Sequence, residues 1–192
     1  GSAVASALLG AAAGAFFGGR LADSIGRVKV MRIAAILFLV SAIFCAWDPF
    51  FTDDTAGFAW LIFWRVVGGV GVGVASVIAP AYIAEVSPAH LRGRLGSLQQ
   101  MGIVLGIFLS LLVDALLANW AGGASQELWL GLAAWRWMFL IMAVPALLYG
   151  IGSFLIPESP RFLVAAGRED EARSVLSRIH GDDAVDVRVD KI

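Results

Sequence analysis

Residues 58–84 read FAWLIFWRVVGGVGVGVASVIAPAYIA, an apolar run interrupted by one charge, Arg65. A bilayer core about 30 Å thick needs about 20 apolar residues to be crossed as a helix. This stretch is long enough to cross one and to tilt, and Pro80 is a place for it to bend. Segments 3–19, 30–47, 95–117 and 135–156 have the same character. Together these spans take up more than half of the 192 residues. The hydrophobic class makes up 59% of the chain before glycine is counted, against roughly 45–50% with glycine included in soluble domains. Charged residues make up 15%, where about 25% is usual. A soluble globule of this size must present much of its surface to water. Composition therefore excludes a soluble enzyme, a nucleic-acid binder and a disordered segment, and predicts an all-α, polytopic membrane helix bundle.

The basic residues set its orientation. Of fourteen Lys and Arg, all but Arg65 and Arg136 lie at 20–29, at Arg32, at 85–94 or beyond residue 156. The connections at 48–57 and 118–134 contain none. By the positive-inside rule, 20–29, 85–94 and 157–192 face the cytoplasm. All seven tryptophans, Trp47, Trp60, Trp64, Trp120, Trp129, Trp135 and Trp137, gather at the other end, as an outer-interface belt would. Residue 1 then lies outside with no basic leader before it, which leads us to expect a preceding span in a longer protein. Net charge is −1, a whole-chain sum that identifies no partner. Cys45 is the one cysteine, so no internal disulfide forms.

Gly10, Gly14 and Gly18 recur every four residues, beside Ala7, Ala11 and Ala15. Small residues at this spacing let helices approach closely in lipid. Gly69 and Gly73 in the third span, and Gly102 and Gly106 in the fourth, repeat the device. Gly68 to Gly73 also has the look of a phosphate loop, but it lies inside a span with no lysine following, so packing is its expected use. The chain divides into a transmembrane part, 1–156, and a tail, 157–192. In the tail, Ser159-Pro160 starts a short helix and Gly167 ends it. Glu169, Asp170 and Glu171 open a second, whose apolar face is Ala172, Val175, Leu176 and Ile179, until His180-Gly181 stops it.

His90 and His180 are the only histidines and lie in different segments, so no metal cluster suggests itself. No nucleophile elbow or zinc-binding helical pair is present either. We therefore expect no enzyme, no metal and no cofactor. Two charges sit inside spans. Arg65 lies about 10 Å below the outer end of its span, counting about 1.5 Å per residue. Facing a cavity or an acid is the expected role of an ionisable residue at depth, with outward snorkelling as the alternative. Asp114 lies nearer an interface and reads as an ordinary end-of-span charge. Gln99 and Gln100 stand just inside the cytoplasmic end of the fourth span. Either an interhelical hydrogen bond or a contact to a polyol, whose hydroxyls an amide matches as donor and acceptor, accounts for them. Asp23 and Arg27, Glu85 and Arg92, and Glu158 and Arg161 place opposite charges at three inner helix ends. They read as solvated loop charge or as a network that locks a moving assembly.

Several of these runs are also recognisable. Gly19-Arg20-Leu21-Ala22-Asp23-Ser24-Ile25-Gly26-Arg27 resembles the loop motif after the second span of the major facilitator superfamily. Arg65-Val66-Val67-Gly68-Gly69-Val70-Gly71 resembles its fourth-span motif. Tyr82-Ile83-Ala84-Glu85-Val86-Ser87-Pro88-Ala89-His90-Leu91-Arg92-Gly93 and Pro157-Glu158-Ser159-Pro160-Arg161 are similar to signatures of its sugar porters, as is Trp135-Arg136 at the head of the last span. The resemblance runs from residue 3 to about residue 180. It implies that the spans are the second to sixth of twelve, in the N-terminal bundle of a plasma-membrane transporter that works by alternating access. Residues 157–192 would begin the inter-bundle linker.

The solute implied is a hexose, pentose or cyclitol, moved by symport or uniport. The implied partners are the bilayer and, from the same protein, a first span and a C-terminal bundle. Gln100 matches the family's fifth-span sugar-contacting glutamine. Arg65 matches the arginine that pairs with a first-span aspartate in proton-coupled members. Asp23, Arg27, Glu85, Arg92, Glu158 and Arg161 match the cytoplasmic charge network. Ser24 and Val28 stand where the loop motif is usually basic, implying a weaker network. Ile107 is apolar where some members carry a second glutamine. The rival readings are a facilitator-superfamily transporter for an organic acid or drug, and a transporter-like sugar sensor.

Overall fold

The computed structural model describes residues 2–47, 54–88 and 90–180. In chain order these form α1 (Ser2–Ile25), α2 (Arg27–Ala46), α3 (Asp54–Val86), α4 (Arg92–Ala121), the strands β1 (Glu127–Trp129) and β2 (Leu132–Ala133), α5 (Ala134–Ile141), α6 (Ala143–Leu155), α7 (Pro160–Ala165) and α8 (Glu169–His180). Among the described residues, helices α1 to α4, and α5 with α6 as one unit, are the 5 segments long and apolar enough to cross a membrane.

α1 and α3 form the spine of the bundle. The backbone carbonyls of Val66 and Val70 press on Gly10 and Gly14, while those of Ala7 and Ala11 press on Gly69 and Gly73. The partners advance together along both chains, so the two helices run parallel, as spans separated by one return span must. The glycine run at 68–73 is therefore packing surface, because Gly68 and Gly71 likewise meet Ser41 and Ala34 of α2. Toward one end, Ala22, Val30, Met31, Ala34, Val74, Ile78 and Tyr82 close a core among α1, α2 and α3.

α4 departs from this pattern. It has no buried residue, and a Cβ on Gly102 or Gly106 would meet nothing within 4 Å. The small-residue stripe expected to pack α4 thus faces open space among the described residues.

The connections also differ from the sequence reading. Most of 20–29 is helical, and Gly26 alone separates α1 from α2. Its φ of 104° lies where a Cβ would be strained, and its N–H still donates to the Ala22 carbonyl at 3.1 Å. The span expected at 135–156 is two helices that meet at Met142. Pro145 accounts for the break: it has no N–H for the Ile141 carbonyl, and its ring crowds that carbonyl. Within 118–134, α4 continues to Ala121 and is ended by Gly122 in the left-handed region. An antiparallel hairpin follows, turning at Leu130 (φ 55°) and Gly131 (φ 70°), the signs that a tight two-residue turn requires. Trp137 anchors it, donating to the Trp129 carbonyl at 3.2 Å with the two rings stacked at 5.7 Å.

The tail helices lie where Ser159-Pro160, Gly167 and the acidic run predict them. Leu163 of α7 packs on Ala172 and Val175 of α8, and Gly167 makes the turn between them at φ 73°. Arg168 donates to Glu171 at 2.8 Å through Nε, which holds that carboxyl below its ordinary value. The expected stop at Gly181, the stretch 182–192 and residues 48–53 of the second connection lie outside the described residues.

Candidate functional site

Two sites emerge, one ionic where the α1–α2 turn meets the end of α3 and one within the bundle. The first forms because Gly26 turns the chain so sharply that the end of α1 and the start of α2 are brought beside the end of α3. Arg27 then meets Glu85 side-on: Nε donates to Oε2 at 3.1 Å and Nη2 to Oε1 at 3.0 Å. Nη1 donates to the Ala22 carbonyl at 3.0 Å, and Asp23 Oδ1 lies 2.7 Å from Nη2. The Arg27 and Glu85 side chains are only 13% and 10% exposed, whereas Asp23 is 70% exposed. The Arg27–Glu85 contact is therefore the desolvated one, and geometry of this fork-on-fork kind is the strong form of the ion pair.

Glu158 joins the cluster differently from its expected pairing with Arg161. Its carboxylate accepts the backbone N–H groups of Arg27 at 2.9 Å and Val28 at 3.1 Å, capping α2 from a distant part of the chain, and that of Ser159 at 3.0 Å. An anion at a helix N-terminus satisfies donors that the helix itself leaves free. Ser159 is fully buried, and its hydroxyl donates to Glu85 Oε2. The Tyr82 hydroxyl donates to the Pro157 carbonyl at 2.7 Å. The structure therefore brings Asp23, Arg27, Glu85 and Glu158 together. Arg92 and Arg161 are exposed and form no ion pair among the described residues. Sequence reasoning missed Ser159 and Tyr82, although both lie inside the quoted signatures; only the fold shows which of their atoms meet.

The second site is a cavity of about 200 Å³ bordered by Ala7, Phe38, Ser41, Cys45, Arg65 and Phe139. Arg65 turns inward, its guanidinium carbon 4.9 Å from the Phe139 ring centre. Its Nε is buried with no acceptor among the described residues. A buried donor left unmatched costs roughly 1–3 kcal/mol, more when charged, so the arrangement calls for an acceptor from elsewhere. A wider groove of about 570 Å³ runs between α2, α3, α4 and α6, lined by Gln99 and Tyr149. The Tyr149 hydroxyl is also buried without a partner. Gln100 does not line this groove and is exposed on α4. Asp114 is half-buried along a groove between α4, α5 and α6. No group of three or more His, Cys, Asp or Glu residues that could hold a metal occurs among the described residues.

These features define a multi-pass helical membrane protein of the major facilitator type. The family model described as "Sugar (and other) transporter" matches residues 1–192, and the chain belongs to that family. It is 55% identical over its full length to a glucose transport protein of Synechocystis, covering 40% of that protein. It is 39% identical to the D-xylose-proton symporter of Escherichia coli, with 95% of the chain matched to 38% of the symporter. Among solved structures, it resembles the proton:xylose symporter XylE bound to 6-bromo-6-deoxy-D-glucose at a TM-score of 0.88 and 34% identity, covering 98% of this chain and 41% of that one. The inward-open form of the Escherichia coli xylose transporter matches at 0.85. The chain thus spans about two-fifths of the length of the relatives it matches.

Proposed function

We propose that the chain is the second to sixth spans of a twelve-span transporter that moves a monosaccharide or cyclitol by alternating access across the plasma membrane. The ionic cluster carries this reading. It ties the inner ends of α2 and α3 to the start of the tail, so that these helices move as one body against a second half. The similar match to inward-open and sugar-bound forms of one relative supports such a body. Glucose, xylose and myo-inositol are named for relatives, which supports a sugar or cyclitol as cargo over an organic acid or drug. The relatives are transporters, which supports a carrier over an enzyme.

The remaining assignments follow from the unmatched surfaces. The bare face of α4 is covered by parts of the same protein, a first span and a C-terminal bundle, with Gln100 turned to the sugar between the halves. Arg65 awaits an acid from the first span, an arrangement suited to proton coupling. Arg92 and Arg161 complete the charge network against the other half. Residues 20–29, 85–94 and 157–192 face the cytoplasm, the last beginning the linker between bundles.

Uptake of radiolabelled sugar into proteoliposomes carrying the full-length parent tests the reading, since a sensor binds without net flux. Gln100→Ala removes hydrogen bonds worth about 0.5–1.5 kcal/mol each between neutral groups, so apparent affinity falls several-fold while insertion is normal. Gln99→Ala has a smaller effect. Parental affinity in Gln100→Ala together with its loss in Gln99→Ala refutes the sugar-site assignment. The orientation has its own check, in a Cys45→Ala background. A cysteine replacing exposed Ser125 reacts with an impermeant thiol reagent applied outside, whereas one replacing exposed Ser24 does not. External labelling at Ser24 inverts the map.

A further inference from the structure

The α2–α6 seam carries basic groups that the ionic cluster leaves unused. α2 begins with Arg27, Lys29 and Arg32 and contains no acid, and α6 contains no charge. Arg27 is taken by Glu85 and Asp23. Arg32 instead reaches across to α6. Its guanidinium carbon sits 4.2 Å from the centre of the Phe154 ring, and Nε and Nη2 make long bonds of 3.4 and 3.3 Å to the Ser153 carbonyl. That leaves guanidinium donors to spare and no acidic partner among the described residues. Lys29 is one helical turn earlier on the same side of α2, exposed and equally without an acid. Glu158, the acid at the head of α2, is turned to the backbone N–H groups of Arg27 and Val28.

Beside and beyond these two cations the seam is apolar and uncovered. Phe154, against Arg32, is 67% exposed, and farther along Ile36 is 58% exposed and Ile151 57%. A cation held by a ring and a carbonyl at the end of an uncovered apolar seam matches an amphiphile with an anionic head. We propose that the seam binds an anionic phospholipid, its phosphate between Arg32 and Lys29 and an acyl chain along Ile33, Ile36 and Ile151. Basic residues at the membrane edge attract anionic headgroups, and a guanidinium matches phosphate oxygens two at a time. A zwitterionic head brings its own ammonium to the same place, so the site discriminates by net charge.

Native mass spectrometry of the full-length parent in detergent tests this, with phosphatidylglycerol, phosphatidylcholine or inorganic phosphate added in turn. Phosphatidylglycerol adducts should exceed phosphatidylcholine adducts several-fold. Arg32→Gln or Lys29→Gln should remove that excess, while Arg178→Gln, which takes one charge from exposed α8, should keep it. Lys29 is a surface residue, so its variant reports on binding even where Arg32→Gln fails to fold. Three results overturn the proposal: equal retention of the two lipids, an unchanged excess in the Lys29→Gln variant and in any Arg32→Gln protein that folds, or an equal loss in Arg178→Gln. Inorganic phosphate displacing phosphatidylglycerol also overturns it, in favour of a free-anion site.

Discussion

In the full-length parent, Gly73→Ala should melt far below the wild type in detergent, while Gly152→Ala should melt with it. A Cβ on Gly73 falls closer than 3.0 Å to the carbonyl carbon and Cα of Ala11 as well as to its oxygen. Backbone on a neighbouring helix cannot rotate aside as a side chain can. Overpacking costs typically about 1–3 kcal/mol, and here the upper end is expected, because relief requires the whole α1–α3 pair to separate. Separation also loosens Gly69 against Ala7 and Gly10 and Gly14 against Val66 and Val70. Gly152 sits on α6 with nothing within 4 Å of its Cβ position, so alanine there tests helix propensity alone. Equal melting of the two variants refutes the close α1–α3 approach.

The same glycines show how far the sequence could be read. Their spacing is visible in one dimension because close approach in lipid is a demand on side-chain size, repeated at each helical turn. The identity of the partner is not visible: Gly69 and Gly73 find α1, but the equally spaced Gly102 and Gly106 find nothing among the described residues. The spans were legible because a bilayer imposes a length and a polarity on each of them. The break at Met142 was signalled by Pro145 but hidden by the unbroken apolar run around it. The hairpin at 127–133 was harder, since Leu130 is an unusual residue for a positive φ and its short strands carry no sustained alternation. At the α1–α2 turn and the end of α3, the charges announced themselves, but pairing by nearness in sequence misled. Glu158 bonds the backbone at the head of α2 across 131 residues, not Arg161 three places on. Burial also sorts Arg27 from Arg92, and burial depends on the turn at Gly26.

That sorting yields a second large effect. Glu85→Gln in the full-length parent should lower stability by about 3 kcal/mol, near the lower end expected when one partner of a buried pair is removed. Arg27 is left 13% exposed with a neutral amide in place of its fork partner. Asp23 and the Ala22 carbonyl remain, which keeps the loss from being larger. Ser159 keeps an oxygen to donate to, so its bond is not the source of the change. Arg178→Gln alters an exposed charge on α8 that has no ion pair among the described residues and no place in the cluster, where changes stay within about 0.5 kcal/mol. The pair is isolated by adding Arg27→Gln. If the penalty of Glu85→Gln is a stranded charge, the double variant loses less than the sum of the two single losses. Thermal melts of the four proteins in detergent, read beside Arg178→Gln, decide it. Additive losses, or Glu85→Gln melting with Arg178→Gln, would reduce the cluster to solvated charge and remove the lock from the transport reading.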